Sequence, residues 1–319
     1  MNLSKQDIER CKQRLEILLP QYKKAIQQQN LLFAKSLIAD IGPLFRKAEK
    51  TASLVEAKNA LYELAIEKGE ASFAIDGLIG NRKLVNKRTR LYLEATALLA
   101  IAYLQVNDFE KAKPCIKEVL QNGHVIKTKD TRRKFNEEII RRFDEESVLF
   151  SLRERNIGLI NVDEIHASAV VLAKDKNEDQ LFVYLGSSLP QHTKNILFQV
   201  DEFSKKQLTY EEQKLLPSPQ EVVSNEKAGK TAFASFKRVL YNSICDPKSE
   251  VYKGWYTNAV GLVSDKKFIT GAVIATLSGI GIGTIALIIS AVALLLRFGL
   301  DVYCDMYKPA GVTEIRRKK

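Results

Sequence analysis

Apolar residues recur every three or four positions through most of this chain, which is the spacing of one face of an α-helix. This pattern predicts helix after helix over residues 1–156, ending in a long helix over Asp130–Arg155. A helix break is expected at Gly42-Pro43, because proline suits the first turn of a helix. The spacing therefore predicts an all-α fold for the first half of the chain.

Residues 157–219 form a second predicted domain in which the pattern is less regular. Ser168–Ala173 and Gln180–Leu185 have the β-branched and aromatic content of strands. Asp163-Glu164, in contrast, is typical of a helix N-terminus. We favour helices throughout this domain, and a small sheet in a mixed α/β arrangement is the alternative.

Three segments of the first domain share one pattern, in which an alanine stands four residues after a polar pair, within the following helix. They are Gln29–Ala34, Gly69–Ala74 and Asn107–Ala112. The alanines are forty and thirty-eight residues apart in the sequence. We interpret each segment as a tight turn between two helices, with the alanine allowing close helix approach.

The segment Leu98–Leu104 that leads into Asn107–Ala112, and Ala60–Ala65 that leads into Gly69, resemble tetratricopeptide repeats. The resemblance covers Arg10 to Leu120 and implies antiparallel helical hairpins with a concave surface for peptides or partner helices. The repeat period exceeds the usual length of about 34 residues, so an ordinary helical bundle is the alternative. The resemblance therefore predicts a protein partner on this surface.

The stretch from Phe268 to Leu296 contains no charged residue, and Lys267 and Arg297 bracket it. About 20 apolar residues cross the hydrocarbon core of a bilayer, so we predict a transmembrane segment over 268–297. It would be preceded by a linker and an amphipathic juxtamembrane helix over 220–267 and followed by a basic tail over 298–319. Trp255, Tyr256, Lys266, Lys267 and Arg297 are the predicted anchors at the membrane interface.

Small residues recur along the apolar stretch at helical spacing. The predicted packing stripe consists of Gly271, Ala275, Gly279, Gly283, Ala286, Ser290 and Ala293. On one long helix they would form a single face, as in membrane helices that associate through small residues. The opposite face, which includes Ile274, Leu277 and Ile288, would meet the acyl chains. A hairpin with its tip at Ser278–Thr284 is the alternative to the long helix.

Composition narrows the chemistry further. The net charge of +11 favours attraction to anionic lipid headgroups, whereas nucleic acid is an unlikely partner because the basic run at residues 127–134 lacks interleaved aromatics. Ala228–Thr231 ends in Gly-Lys-Thr, but Ser224 stands where a phosphate loop needs glycine. The dispersed histidines and acidic residues indicate no catalytic, metal or cofactor site. Glu137-Glu138, Arg141-Arg142 and Glu145-Glu146 predict a salt-bridged solvent face.

The four cysteines, which lie far apart, predict reduced and mostly buried thiols. Since the first residues are charged and lack the apolar region of a signal peptide, we expect a cytoplasmic body. The layout resembles membrane effectors of bacterial anti-phage (abortive-infection) systems, in architecture only. That resemblance implies a non-enzymatic protein that oligomerises in the inner membrane and permeabilises it. A static membrane-tethered adaptor is the alternative.

Overall fold

The computed structural model describes residues 5–153, 157–245, 267–299, 303–304 and 311–313. Over these ranges all regular elements are helical and there is no strand, which confirms the all-α prediction and excludes the small sheet there. The chain divides into two compact units, which we call unit 1 (residues 1–139 and 311–319) and unit 2 (residues 140–310).

Unit 1 is a succession of helices in which neighbours along the chain pack on each other. Its helices are α1 (Lys5–Gln27), α2 (Leu31–Lys47), α3 (Thr51–Glu67), α4 (Ala71–Leu84), α5 (Arg90–Gln105) and α6 (Phe109–Gln121), followed by a short 3-10 helix, Gly123–Val125. The next helix, α7 (Lys129–Ser151), begins in unit 1 and ends in unit 2. This series of short-looped helices is consistent with the predicted helical repeat.

Four of the turns in unit 1 share one geometry. In each, a residue in the left-handed conformation follows the helix, and these residues are Gln29, Glu49, Gly69 and Asn107, with φ between 53° and 82°. Two backbone N–H groups then donate back across the helix end, as Gly69 N does to Ile66 O at 3.0 Å and Glu70 N to Ala65 O at 2.8 Å. The first residue of each predicted polar pair is therefore the left-handed residue that reverses the chain.

The second residue of the polar pair begins the next helix. Asn30 and Asp108 accept hydrogen bonds from the backbone N–H groups of Phe33 and Lys111, each at 3.1 Å. Ala34, Ala74 and Ala112 are completely buried, as expected for residues between packed helices. The prediction of a break at Gly42-Pro43 is wrong, because α2 continues through it and ends at Lys47.

Unit 2 contains the remaining helices. They are α8 (Val162–Asp175), α9 (Glu178–Ser187), α10 (Gln191–Lys205), α11 (Tyr210–Gln213), α12 (Pro219–Val222), α13 (Asn225–Leu240), α14 (Lys267–Gly279) and α15 (Ile285–Phe298). Helix α13 continues into a π-helical turn, Tyr241–Cys245.

Helices α9 and α13 meet backbone to backbone: a Cβ on Gly186 would overlap Asn225 O, and one on Gly229 would overlap Phe182 O. Gly229 thus lies in a helix crossing, which excludes a phosphate loop at Ala228–Thr231.

The charged residues of α7 are placed differently from the prediction. Arg141 pairs with Glu145 and Arg142 with Glu146, at 3.6 Å and 2.6 Å, as the spacing indicated. Arg142, Glu145 and Glu146 are nevertheless buried, so this part of the helix is not a solvent face. The Glu145 carboxylate also pairs with Arg238 of α13 at 3.4 Å. Glu137 and Arg141 are exposed as predicted, so only part of the predicted solvent face lies in the interior of unit 2.

Candidate functional site

The candidate functional site is the apolar stretch of unit 2, and it forms two helices rather than one. Helix α14 ends at Gly279, and Gly281 adopts a left-handed φ of 91°. Ile282 N donates to Leu277 O at 2.8 Å and Gly281 N to Ser278 O at 3.0 Å, which is the hydrogen-bond pattern of a glycine-terminated helix. The preferred single helix is therefore wrong for this conformation, and the hairpin with its tip within 278–284 is the arrangement observed. None of the helices in the described ranges has the length and apolar content needed to cross a bilayer.

The hairpin of α14 and α15 contributes much of the interior of unit 2. Helix α15 packs on α8 and α9, and α14 packs on α8 and α13. The face expected to meet acyl chains is instead inside the protein: Ile274, Leu277, Ile288, Val292 and Leu295 are buried there. The physical reason is that the surrounding helices present an apolar face of their own. Apolar surface removed from water stabilises the unit whether protein or lipid covers it.

Aromatic side chains connect this interior to the surrounding helices. The ring of Phe233 on α13 lies 5.8 Å from that of Phe182 on α9 and 5.9 Å from that of Phe298 on α15, measured between centroids. Edge-on and tilted ring pairs at this distance contribute beyond the area they bury. The end of α15 is thereby held against the α9–α13 crossing.

The predicted packing stripe is divided between the two helices. Gly271, Ala275 and Gly279 belong to α14, where Ala275 and Gly279 are exposed and the glycines have open space beside them. Gly283 lies in the connecting loop against the side chain of Ile157. Ala286 is partly buried on α15, and Ser290 and Ala293 are buried there. Gly279 and Gly283 therefore do not share a helix in this conformation.

Polar contacts lie at the rim of the hairpin. At the start of α14, Lys267 pairs with Asp163 at 3.0 Å and Thr270 Oγ1 lies 2.8 Å from His166 Nδ1 on α8. Further along, Thr276 Oγ1 lies 2.6 Å from Ser243 Oγ. Near the end of α15, Arg297 donates to Ala173 O at 3.4 Å. Two of the predicted interface anchors, Lys267 and Arg297, thus bind unit 2 itself. Trp255, Tyr256 and Lys266 lie outside the described residues.

A disulfide bond closes the chain around the hairpin. Cys245 ends the π-helical turn after α13, Cys304 follows α15, and the bond joins them across 59 positions of sequence. This corrects the prediction of four reduced thiols, whereas Cys11 and Cys115 are free and buried as predicted. The pairing was not foreseen because it depends on where the helices place the two ends. The bond ties the segment that follows the hairpin to the helix that precedes it.

A buried carboxyl pair lies in the same unit. Burial raises the pKa of Asp144 on α7 well above its ordinary value, and the neighbouring Asp201 on α10 raises it further. Lys205 lies 2.7 Å from Asp201 and also donates to Pro217 O at 2.6 Å. A neutral Asp144 beside an Asp201 that is paired with Lys205 is the consistent arrangement.

Comparison with known proteins gives no match, whether to a protein-family model, a curated protein or a solved structure. The function of this chain must therefore be inferred from its own geometry and chemistry.

Proposed function

We propose that this protein is a membrane-active effector with two working parts. Unit 1, a tetratricopeptide-like repeat, binds a protein partner. Unit 2 shelters an apolar hairpin, which leaves its position and enters a bilayer when the partner signals. In the membrane the segment oligomerises through its small residues and permeabilises the bilayer, as in anti-phage defence systems that disrupt the inner membrane of the infected cell.

One observation carries this proposal: the hairpin has no charged residue on either face from Phe268 to Leu296. A helix that covers the core of a water-soluble unit normally carries charged residues on its outer side. Helix α13, for example, combines a buried apolar face with the exposed Lys227 on its outer side. In the hairpin the outward positions are instead uncharged and include Phe268, Ala275 and Ile285. Such a composition suits a segment with a second environment in which all its sides are covered by lipid.

The dimensions indicate that the hairpin must change shape in the bilayer. Helices α14 and α15 have 13 and 14 residues, so each is about 20 Å long, against a hydrocarbon core of about 30 Å. If residues 280–284 become helical, α14 and α15 join into one helix of about 48 Å, long enough to cross with tilt. The stripe from Gly271 to Ala293 would then form one face.

Ala275 provides the experiment that separates a membrane role from a core role. It is exposed in unit 2, so Ala275→Asp should leave the fold intact, yet it lies within the uncharged stretch. An aspartate at the bilayer centre opposes insertion by about 3 kcal/mol. Ala275 would lie about 11 Å from the midpoint of the joined helix, so we expect a smaller effect there, about tenfold in the insertion equilibrium. The matched control is Val171→Asp, at an exposed apolar position of α8 outside the hairpin.

The measurement is dye release from vesicles of anionic lipid, together with thermal unfolding of each purified full-length variant. We expect Ala275→Asp to lose dye release with an unfolding midpoint equal to that of Val171→Asp, which should release dye normally. Equal release by both variants would contradict the proposal. If the wild-type chain with its partner releases no dye and leaves the membrane potential of expressing cells unchanged, the static adaptor is the better description.

A further inference from the structure

Three residues from the C-terminal region, Gly311–Thr313, belong to unit 1 although they follow unit 2 in the sequence. Val312 and Thr313 are buried, at 4% and 8% exposure. Their main polar partner is Glu63, on α3. The basic tail predicted over 298–319 therefore includes a segment that docks on the helical repeats.

The Glu63 carboxylate gathers the donors of this segment. Its Oε1 accepts from Val312 N, and its Oε2 accepts from Thr313 N at 3.2 Å and from the Thr313 hydroxyl. Two successive backbone N–H groups and a hydroxyl thus converge on one carboxylate. Burial of this carboxyl, together with the nearby Glu67, raises the pKa of Glu63 to about 7. When Glu63 is ionised, hydrogen bonds to it are stronger than neutral ones and carry more geometric specificity.

The position before these donors leaves little room for a side chain. A Cβ on Gly311 would lie 2.8 Å from Glu63 Oε1 and 3.0 Å from both its Cδ and Oε2. The 2.8 Å contact is shorter than those real Cβ atoms make and the other two are tight, so a side chain would require the turn or the carboxylate to shift. Glu63 in its present position therefore favours glycine before the donors that follow.

The docked segment borders a larger groove. Thr313 lines a groove of about 370 Å³ together with residues of α1, α2 and α3, among them Tyr22, Phe45 and Ala57. Tyr22 donates to Ala57 O at 2.6 Å, which fixes one wall of the groove. Mixed apolar and polar walls of this kind suit the side chains of a peptide that continues past the threonine.

We propose that Glu63 and this groove form a peptide-binding site of unit 1, and that Gly311–Thr313 is its internal competitor. The partner is a protein segment with glycine, a β-branched residue and threonine in sequence, presented in a turn so that two N–H groups and the hydroxyl meet Glu63. Binding of the partner displaces the tail. This inference rests on the partner-binding role in the proposed function and specifies where that role is located.

The test uses the full-length chain and a fluorescent peptide with the sequence of residues 309–319, followed by fluorescence anisotropy without lipid. Gly311→Val should vacate the site, so we expect it to bind the peptide at least tenfold more tightly than the wild-type chain does. Adding Glu63→Ala to that variant should weaken binding at least tenfold. Asp76→Asn, at an exposed position of α4 away from the Glu63 site, is the matched control and should leave the affinity of the Gly311→Val chain unchanged.

Peptide variants check the recognition chemistry. Replacing the threonine of the peptide by valine keeps its shape and removes one donor, so affinity should fall severalfold. Replacing the glycine by valine should abolish binding. Equal affinity of the wild-type and Gly311→Val chains, or binding that is indifferent to Glu63→Ala, would overturn the inference. Because the assay contains no membrane, the peptide site can fail while dye release succeeds, and the reverse.

Discussion

Replacing Gly281 by alanine is expected to shift the apolar segment from two helices towards one. In unit 2 this residue holds a φ of 91°, which opposes an alanine by about 1 kcal/mol or more. In a continuous helix the same substitution is favourable by about 1 kcal/mol, because glycine is the poorer helix former. Together these effects favour the single helix by about 2 kcal/mol, or about thirtyfold.

Two measurements follow this shift in the full-length chain. Flotation with anionic vesicles reports the fraction of protein inserted, which should rise for Gly281→Ala. Thermal unfolding in the absence of lipid should show a midpoint lowered by about 2–4 °C, because the sheltered hairpin loses about 1 kcal/mol.

Gly279→Ala is the matched control for this prediction. Gly279 is helical in α14 and has open space around its Cα, so an alanine there should favour both forms equally. If Gly281→Ala inserts no better than Gly279→Ala, or unfolds at the wild-type temperature, the conversion of a hairpin into one helix is refuted. A loss of both insertion and stability would indicate that the hairpin enters the membrane intact.

Two further predictions concern unit 2. Reducing the Cys245–Cys304 bond, or replacing Cys304 by serine, should lower the free energy of unfolding of this unit by about 4 kcal/mol, the value that the chain-entropy model gives for a loop of 59 residues. Either change should also speed dye release. The reductant should have no such effect on the Cys304→Ser variant. The pKa of Asp144 in the native state is raised above its unfolded value of about 4, so the native state retains a proton that the unfolded state loses. The free energy of unfolding therefore falls by up to about 1.4 kcal/mol per pH unit from pH 4 up to the native pKa. Asp144→Asn should therefore match the wild-type midpoint near pH 4 and exceed it at pH 7, and parallel pH profiles in urea unfolding would contradict this assignment.

The repeat pattern of unit 1 was predictable because it depends on local chemistry. A polar pair and a small residue at fixed offsets specify a turn and a close helix contact, and the turns at Gln29, Gly69 and Asn107 confirm this. The turn at Glu49 was missed, since glutamate rarely adopts a left-handed conformation and Gly42-Pro43 offered a stronger local signal.

The hairpin was predicted only as an alternative, because glycine residues can either end a helix or form the small-residue face of a continuous helix. Which role Gly281 takes depends on the helices that cover α14 and α15, and that information is not local. The same holds for Cys245 with Cys304 and for Glu63 with Thr313, which meet only after the chain has folded. The burial of Arg142 beside Glu146 could not be predicted from the sequence for a related reason. An i, i+4 ion pair has the same spacing whether it lies on a solvent-exposed face or in the protein interior.

The docking of Thr313 on Glu63 also sets an order of events during synthesis. The two residues are 250 positions apart, so a ribosome adding about 5–20 residues per second makes the second about 10–50 s after the first. Through that interval the helices of unit 1 can fold while their internal competitor has not yet been made. A partner peptide present at the ribosome would meet the Glu63 site without competition, whereas one that arrives later must displace the tail. The order in which the partner and the tail reach the Glu63 site, and not only the concentration of partner, would then decide whether a molecule binds the partner.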